Sequence, residues 1–190
     1  FEVGFKGEFL DNRLRTNIAV FRSEFSDEQK SVALPTGGWK VENVGSSTYD
    51  GVEFDATAAI TDSLQLSVSY ATLWHDYDEW IDPSTGQDVT DLRELIVPEN
   101  DFNIDVDYRF PDFGLGTLFL NVNFARRGES STPLNLTIPD VERYSSTPDF
   151  NLLNFRLTLK DIALGSDHHR LTVAAWGKNL TDEEYLNLAY

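Results

Sequence analysis

The sequence predicts an all-β fold, in which about eight strands form an antiparallel up-and-down meander. Three observations predict it. Apolar and polar residues alternate along several segments, which places each set on its own face of a strand. No segment shows the three- and four-residue apolar spacing of an amphipathic helix. Tight turns and long polar loops alternate between the segments, so all the long loops lie at one end of the meander.

The alternation is clearest after residue 64, where Leu64, Leu66, Val68 and Tyr70 alternate with Gln65, Ser67, Ser69 and Ala71. The same pattern runs through 102–110, 118–125 and 153–160. Taken in order, the predicted strands are 1–9, 14–25, 44–60, 64–80, 100–110, 117–127, 149–160 and 169–179.

The connections between these strands fall into two sets. Tight turns rich in Asp, Asn, Gly and Pro are predicted at 10–13, 61–63, 111–116 and, slightly longer, 161–168. Long polar loops are predicted at 26–43, 81–99 and 128–148.

Two features bear on which face of the sheet points outward. The polar face carries ionisable residues in mid-strand, namely Glu53, Asp55, Asp105, Asp107, Arg109, Arg156 and Lys160. Either a wet barrel interior or a solvated outer surface tolerates them. Aromatic residues lie toward strand ends on the apolar face, at Tyr70, Trp74, Tyr108 and Phe110. Such rings suit the girdles of a membrane barrel, although aromatic residues also fill soluble cores.

Composition excludes several classes of protein. The net charge of −17 argues against nucleic-acid binding through a basic face. The chain has no cysteine, so disulfides and thiolate metal sites are excluded. No apolar run approaches the roughly 18 residues of a membrane-spanning helix, but the strands of a membrane barrel are short and only half apolar.

Four motifs carry a family resemblance. The stretch Asn43-Val44-Gly45, continued by Gly51-Val52-Glu53, resembles the N-x-G-x-x-x-x-x-G-x-E segment of TonB-dependent outer-membrane receptors. Thr61-Asp62-Ser63-Leu64 through Tyr70 is similar to the hairpin that follows it in that family. The opening FEVGFKGEFLDNRLRTNIAVF resembles a receptor hairpin. Trp176-Gly177-Lys178-Asn179-Leu180-Thr181-Asp182-Glu183-Glu184-Tyr185 resembles the stretch near the receptors' end.

The resemblance implies that residues 1–190 are a C-terminal segment of a transmembrane barrel of about 22 strands. It also implies that the plug domain and the final strand are absent, with Tyr190 lying at a boundary rather than at the family's terminal aromatic position. The whole protein would lie in the outer membrane of a Gram-negative bacterium. It would import a scarce small molecule, such as a ferric siderophore or cobalamin, with energy from the TonB complex. Its partners would be that complex through the missing plug and TonB box, the imported ligand, and outer-membrane lipid with lipopolysaccharide.

Two alternatives remain open. A complete eight-stranded soluble barrel that binds a small ligand would point Leu66, Val68, Leu120, Val122, Phe155 and Leu157 inward. A complete small membrane barrel with a structural or adhesive role would close between 1–9 and 169–179.

Two sets of candidate binding residues lie near the predicted loops. His75, Asp76, Asp78 and Glu79 offer imidazole and oxygen ligands that could hold loop-bound Ca²⁺ or Mg²⁺. No other cofactor is expected. Candidate ligand contacts are aromatic or cationic, namely Trp39, His75, Tyr77, Trp80, Arg126 and Arg127. A solvated loop is the alternative for the acidic set, and a surface position without a ligand is the alternative for Arg126 and Arg127. No catalytic motif is present, so no enzyme is predicted.

Overall fold

The fold is a single large antiparallel sheet. The computed structural model describes residues 1–33, 38–81, 86, 88, 90, 98–131, 146–165 and 169–186. The strands are β1 (Glu2–Phe9), β2 (Leu14–Ala33), β3 (Trp39–Ala59), β4 (Leu64–Trp80), β5 (Asn100–Arg109), β6 (Thr117–Arg127), β7 (Ser130–Ser131), β8 (Ser146–Thr147), β9 (Phe150–Ala163) and β10 (Arg170–Gly177). Among the described residues, no helix is long and apolar enough to cross a membrane.

The strand order confirms the predicted meander. Eight strands pair in the order β1-β2-β3-β4-β5-β6-β9-β10, and β7 pairs separately with β8. Every pair is antiparallel. The strand ends joined by the short connections 10–13, 60–63, 110–116 and 164–169 therefore lie at one end of the sheet, here called the turn end. The strand ends that lead into 34–38, 81–99 and 128–149 lie at the other, here called the loop end.

The tight turns form because local residues satisfy or tolerate the turn geometry. Leu10, Asp11 and Asn12 all have positive φ, at 55°, 54° and 64°. Asp and Asn tolerate this conformation better than other non-glycine residues. In the next turn, the hydroxyl of Thr61 accepts the backbone N–H of Leu64 at 3.0 Å. These contacts reverse the chain in a few residues and set the register of each hairpin.

The second hairpin extends well past its predicted loop end. We predicted a loop at 26–43, but β2 continues to Ala33 and β3 begins at Trp39. The prediction missed this because register shifts on both sides of Glu28 interrupt the period of two. Gly45 lies at a related irregularity with φ of 147°, and a Cβ there would overlap the carbonyl of Glu79. A glycine is therefore required at this irregularity.

The other boundaries agree more closely. Strands β4 and β6 have the predicted bounds, while β9 runs to Ala163 and β10 ends at Gly177. The short pair of β7 and β8 lies inside the predicted loop 128–148, where the polar sequence shows no alternation. Residues 132–145 of that loop, most of 81–99, and Tyr190 lie outside the described residues.

The sheet is a single layer with an open order. Within the described residues, β1 and β10 pair only with β2 and β9, so the closure expected for a complete small barrel is not seen. The buried apolar side chains among these residues are Ala19, Tyr77 and Phe150. No second layer covers the apolar face in the described chain, which argues against the soluble barrel with an apolar interior.

Candidate functional site

Strand register divides the side chains into two chemically different faces. Directly opposed residues share a face, so Val68, Ile104 and Phe124 lie together across β4, β5 and β6. On the other face, Ser67, Asp105 and Asn123 lie in the same order. One face, called here the apolar face, is lined by Val, Leu, Ile and Phe; the other, called the polar face, carries Asn, Asp, Ser and Thr. The period of two predicted this division.

The apolar face forms a band of defined height. On β4 it runs from Leu64 at the turn end to Trp74, whose side chain is 49% exposed. Ten residue steps at about 3.3 Å give about 33 Å along the strand. With a strand tilt of about 40°, the band is about 25 Å tall, as in outer-membrane barrels.

Aromatic and charged residues mark the limits of this band. Tyr108 and Phe110 pack edge to face at the turn end, with ring centroids 4.8 Å apart. At the loop end, Trp74 is opposite Asp50, and Asp50 accepts two hydrogen bonds from Arg22 at 2.8 and 2.6 Å. Tyr70 lies inside the band, opposite Phe54 and Phe102. The predicted aromatic residues therefore lie on the apolar face, with Tyr70 deeper than expected.

Amide and carboxylate side chains cross-link the polar face. The Asn123 amide donates to Asp105 at 3.1 Å, and the Asn154 amide donates to Asn123 at 2.9 Å. The Asn121 amide donates to Asp107 at 2.9 Å. This amide ladder satisfies polar groups across β5, β6 and β9, which suits a face that meets water.

The ladder continues into the segment after β10. The Asn154 side-chain oxygen accepts the backbone N–H of Asn179 at 3.0 Å. The Asn179 side chain donates to the carbonyl of Glu183 and accepts its N–H, both at 2.9 Å. This turn ends β10 before the predicted residue 179. It directs the chain so that Tyr185 stacks on Phe150, with centroids 4.4 Å apart.

Predicted ligand residues gather in a row on the polar face near the loop end. This loop-end aromatic row consists of Phe25, Tyr49, His75, Tyr77 and Trp80, with successive ring centroids 5.5, 4.3, 4.5 and 4.6 Å apart. His75 and Tyr77 are only 3% and 7% exposed. The structure therefore brings His75, Tyr77 and Trp80 together, as a packed cluster with little open surface at its centre.

The remaining predicted ligand residues are dispersed. Trp39 lies at the tip of the β2–β3 hairpin and is 74% exposed. Arg126 and Arg127 are neighbours in a strand, so they occupy opposite faces. Arg126 forms a salt bridge with Asp149 at 3.0 Å, whereas Arg127 lies opposite Asp101 on the polar face.

The four predicted metal ligands are not brought together. His75 lies on the polar face opposite Tyr49, while Asp76 lies opposite Thr48 on the other face. Asp78 accepts the Thr48 hydroxyl at 3.0 Å, on the side of Asp76. Among the described residues, no three His, Asp or Glu side chains are arranged to hold a metal ion. Strand alternation separates His75 from Asp76 and Asp78, because residues adjacent in sequence point to opposite faces.

A cavity on the polar face was not predicted. It has a volume of about 520 Å³, and its lining includes Glu53, Asp101, Arg127, Phe150 and Tyr185. These residues come from β3, β5, β6, β9 and the segment after β10, so no local motif identifies it. The alternation placed Glu53 on the polar face, but only the register showed which residues meet there.

One contact within the 81–99 connection is held by hydrogen bonds to a carboxylate. The Asp88 carboxylate accepts the Thr90 hydroxyl at 2.6 Å and its N–H at 3.0 Å, and these bonds hold the pKa of Asp88 below its usual value. The Thr90 hydroxyl in turn accepts the backbone N–H of Trp80 at 2.9 Å. The base of the 81–99 connection is thereby attached to the end of β4.

A single-layer meander with an apolar band, a polar second face and long connections at one end is the wall of an outer-membrane β-barrel. The chain belongs to the family of TonB-dependent receptor β-barrels: the model described as "TonB dependent receptor-like, beta-barrel" matches residues 1–180. This family lies in the outer membrane of Gram-negative bacteria, which confirms the resemblance and the location predicted above.

One similar sequence and two similar solved structures come from receptors of the same kind. The chain is 37% identical over 73 residues to the probable TonB-dependent siderophore receptor PiuA of Acinetobacter baumannii, covering 38% of this chain and 9% of that protein. The ferric yersiniabactin uptake receptor FyuA of Yersinia pestis matches 100% of this chain and 25% of its own, with a TM-score of 0.70 and 17% identity. The ferric preacinetobactin receptor BauA of Acinetobacter baumannii matches 97% of this chain and 25% of its own, with a TM-score of 0.66 and 19% identity.

At these identities the solved structures show the fold alone. The chain spans a quarter or less of the length of the relatives that it matches. The open sheet order agrees with a partial barrel wall.

Proposed function

We propose that this chain is a C-terminal part of the barrel wall of a TonB-dependent importer of ferric siderophores. The observation that carries the proposal is the two-faced meander, with its long connections at one end. The similarity to the probable siderophore receptor of Acinetobacter baumannii supports the ligand class. On this proposal, the plug domain and the TonB-binding segment belong to parts of the receptor outside this chain.

The apolar face contacts lipid in this proposal. A lipid-facing band must satisfy every backbone group within the sheet, and antiparallel ladders do this between neighbouring strands. The band is about 25 Å tall, the height of the apolar band in outer-membrane barrels. Its upper limit at Trp74, Arg22 and Asp50 is where lipopolysaccharide headgroups would begin.

The polar face lines the interior in this proposal. Its amide ladder keeps Asn and Asp side chains hydrogen-bonded without burying them in an apolar core. A wet interior tolerates charged groups in mid-strand, whereas lipid does not.

The loop end faces the external medium and takes part in ligand capture. Trp39 supplies exposed aromatic surface there, and Arg127 supplies positive charge on the polar face. Arg126 lies on the opposite face and is paired with Asp149. Ferric siderophores commonly carry anionic oxygen ligands, which guanidinium groups bind well. The buried His75 and Tyr77 would support this surface from below rather than contact the ligand directly.

Iron uptake tests the proposal. The gene for the receptor that contains this chain is deleted in its host, and uptake of ⁵⁵Fe is measured with a panel of ferric catecholate, hydroxamate and mixed-ligand siderophores. We expect uptake of at least one complex to be lost, to return with the intact gene, and to require TonB. Unchanged uptake of every complex would reject the proposed function.

A further inference from the structure

Large apolar side chains are exposed on the short connections at the turn end. This turn-tip apolar set consists of Leu10, Ile60, Phe113, Leu115 and Leu164, and each of the four connections supplies at least one member. Leu10 and Leu115 are 71% and 65% exposed. Turn positions are usually filled by Gly, Pro, Asn, Asp and Ser, so a large apolar residue in every one of these turns requires a separate explanation.

The backbone holds two of these leucines at the tips of their turns. Leu10 has φ of 55°, a left-handed conformation that Asn and Gly adopt more readily than Leu. Leu115 lies between Gly114 and Gly116, which have φ of 84° and 141°. In water, Leu10 would combine an unfavourable backbone conformation with an exposed apolar side chain. Contact of that side chain with an apolar phase would offset the cost.

The position of Ile60 shows that the set borders the apolar face. Ile60 follows Ala58 by two positions, and Ala58 lies opposite Leu14 and Leu66 on that face. The backbone N–H of Ile60 donates to the carbonyl of Leu64 at 2.9 Å, so Ile60 lies immediately beyond the lower edge of the apolar band. Apolar groups at a membrane surface enter only about 5–10 Å into the boundary between headgroups and acyl chains. Lipid that contacts the band can therefore also reach the turn tips.

The distribution of the set favours a lipid surface over a protein partner. Its members are spread along the rim of an eight-stranded sheet, which is about 34 Å wide at the usual strand spacing. Protein-binding hot spots instead cluster near the centre of a patch, and they are rich in Trp, Tyr and Arg rather than Leu. A lipid leaflet contacts the whole rim, which agrees with one or two apolar tips in every turn.

The charges of the same connections narrow the class of lipid. Asp11, Asp62 and Asp112 each lie within two positions of a member of the set. The guanidinium of Arg13 donates to two backbone carbonyls, at 3.0 and 2.6 Å. Carboxylates near a membrane surface are repelled by anionic headgroups, so a zwitterionic phospholipid fits these turns better than an anionic one.

We propose that the turn-tip apolar set inserts into a leaflet of zwitterionic phospholipid on the periplasmic side of the outer membrane. The inference rests on the proposed function only in requiring that the apolar face meets lipid and that the loop end faces outward. Iron uptake does not report where the turn tips lie, so the uptake result and the results below can fail separately.

Fluorescence quenching in the whole receptor tests this inference. Cysteine replaces Leu115 in the receptor, with any cysteine elsewhere replaced, and carries an environment-sensitive fluorophore in phosphatidylcholine vesicles. The same label at Leu66 marks the apolar band, and at Asn43 it marks the loop end. We expect a phospholipid with a nitroxide near its headgroup to quench the label at Leu115 at least about threefold more than at Asn43, and aqueous iodide to show the reverse order.

Three outcomes of this experiment would count against the proposal. Equal quenching by iodide at Leu115 and Asn43 would place the turn tips in water. Protection from iodide in native outer membranes, without quenching by nitroxide lipid in vesicles, would indicate a protein partner instead. Exchange of half the phosphatidylcholine for phosphatidylglycerol should lower the lipid quenching at Leu115. Unchanged quenching would overturn the assignment to zwitterionic lipid.

Asparagine variants provide the matched comparison, because Asn suits the left-handed backbone at position 10. In phosphatidylcholine vesicles, Leu10→Asn with Leu115→Asn should lower the folding equilibrium constant about tenfold or more, since two apolar side chains are lost from lipid. Leu186→Asn makes the same change at an exposed position after β10 and should alter that constant less than about twofold. A double variant at least as stable as the wild type is the result expected for turns in water, and it would contradict the inference.

Discussion

The two faces of the sheet use the same strands but differ in chemistry, and in the proposed function they meet different solvents. On the apolar face, Val68, Ile104 and Phe124 form a continuous row across three strands. One residue away on each strand, Ser67, Asp105 and Asn123 form the opposite row, with Asn123 bound to Asp105. Neither face is buried like a protein core, and in the proposed function the apolar face borders lipid and the polar face borders the wet interior. The effect of a substitution should therefore depend on which face of the sheet carries it.

The largest expected effect comes from placing a charge on each face at neighbouring positions of β4. Val68→Arg puts a guanidinium in the middle of the apolar band, which faces lipid in the proposed function. It should lower the free energy of unfolding by about 2–4 kcal/mol. Ser67→Arg places the same group on the polar face, where we expect a change within about 1 kcal/mol. Guanidinium unfolding of the receptor refolded in lipid vesicles measures both. Equal effects at the two positions would show that the faces do not differ in solvent.

A smaller effect should follow from breaking the amide ladder. Asn123→Leu removes the hydrogen bonds to Asp105 and from Asn154, and we expect a loss of about 1–3 kcal/mol in the same assay. Asn151→Leu, on the opposite face of β9 and at its loop end, is the control and should cost less than about 1 kcal/mol. If Asn123→Leu stabilised the receptor, the polar face would be in an apolar environment.

Breaking the turn after β10 should speed amide hydrogen exchange in that segment only. Asn179→Ala removes both side-chain hydrogen bonds to Glu183, so residues 178–186 should exchange amide hydrogens about tenfold faster. Lys178→Ala is the neighbouring control and should leave exchange unchanged. Equal protection in the two variants would mean that packing of Tyr185 on Phe150 holds this segment by itself.

The smallest expected effect is a pH dependence at the base of the 81–99 connection. Hydrogen bonds from Thr90 hold the pKa of Asp88 below its ordinary value of about 3.9. The stabilisation from these bonds is therefore complete above that ordinary pKa. It is lost as the pH falls through the lower pKa of the folded state. Amide exchange at Trp80, whose N–H is bound by Thr90, should quicken below about pH 3.9 relative to an Asp88→Asn variant. An identical pH profile for the two proteins would contradict this.

Much of the fold could be predicted because period-two alternation is a local signal. Strands β4 and β6 have their predicted bounds, and the tight turns fall where Asp, Asn and Gly cluster. The extension of β2 and β3 could not be predicted, because irregularities at Glu28 and Gly45 shift the alternation out of phase. Strands that bend or bulge lose the pattern on which the prediction depends.

The candidate site was less predictable because it depends on strand register. His75 and Asp76 are adjacent in sequence, and proximity suggested one metal site, yet alternation places them on opposite faces. The loop-end aromatic row joins three strands, and the cavity beside Arg127 joins five strands and the segment after β10. Pairing over such distances depends on every intervening turn, so single residues were identified more readily than their partners.

Solvent accessibility along β4 tests the central claim most directly. The chain has no cysteine of its own, so nitroxide labels can be placed singly at positions 65 through 72 in the receptor, with any cysteine elsewhere replaced. The account predicts that collision with oxygen peaks at Leu66, Val68 and Tyr70, whereas collision with a water-soluble nickel complex peaks at Gln65, Ser67 and Ser69. The two profiles should oscillate with a period of two and in opposite phase. In-phase profiles, or maxima on the reversed sets of residues, would contradict the assignment of the apolar face to lipid.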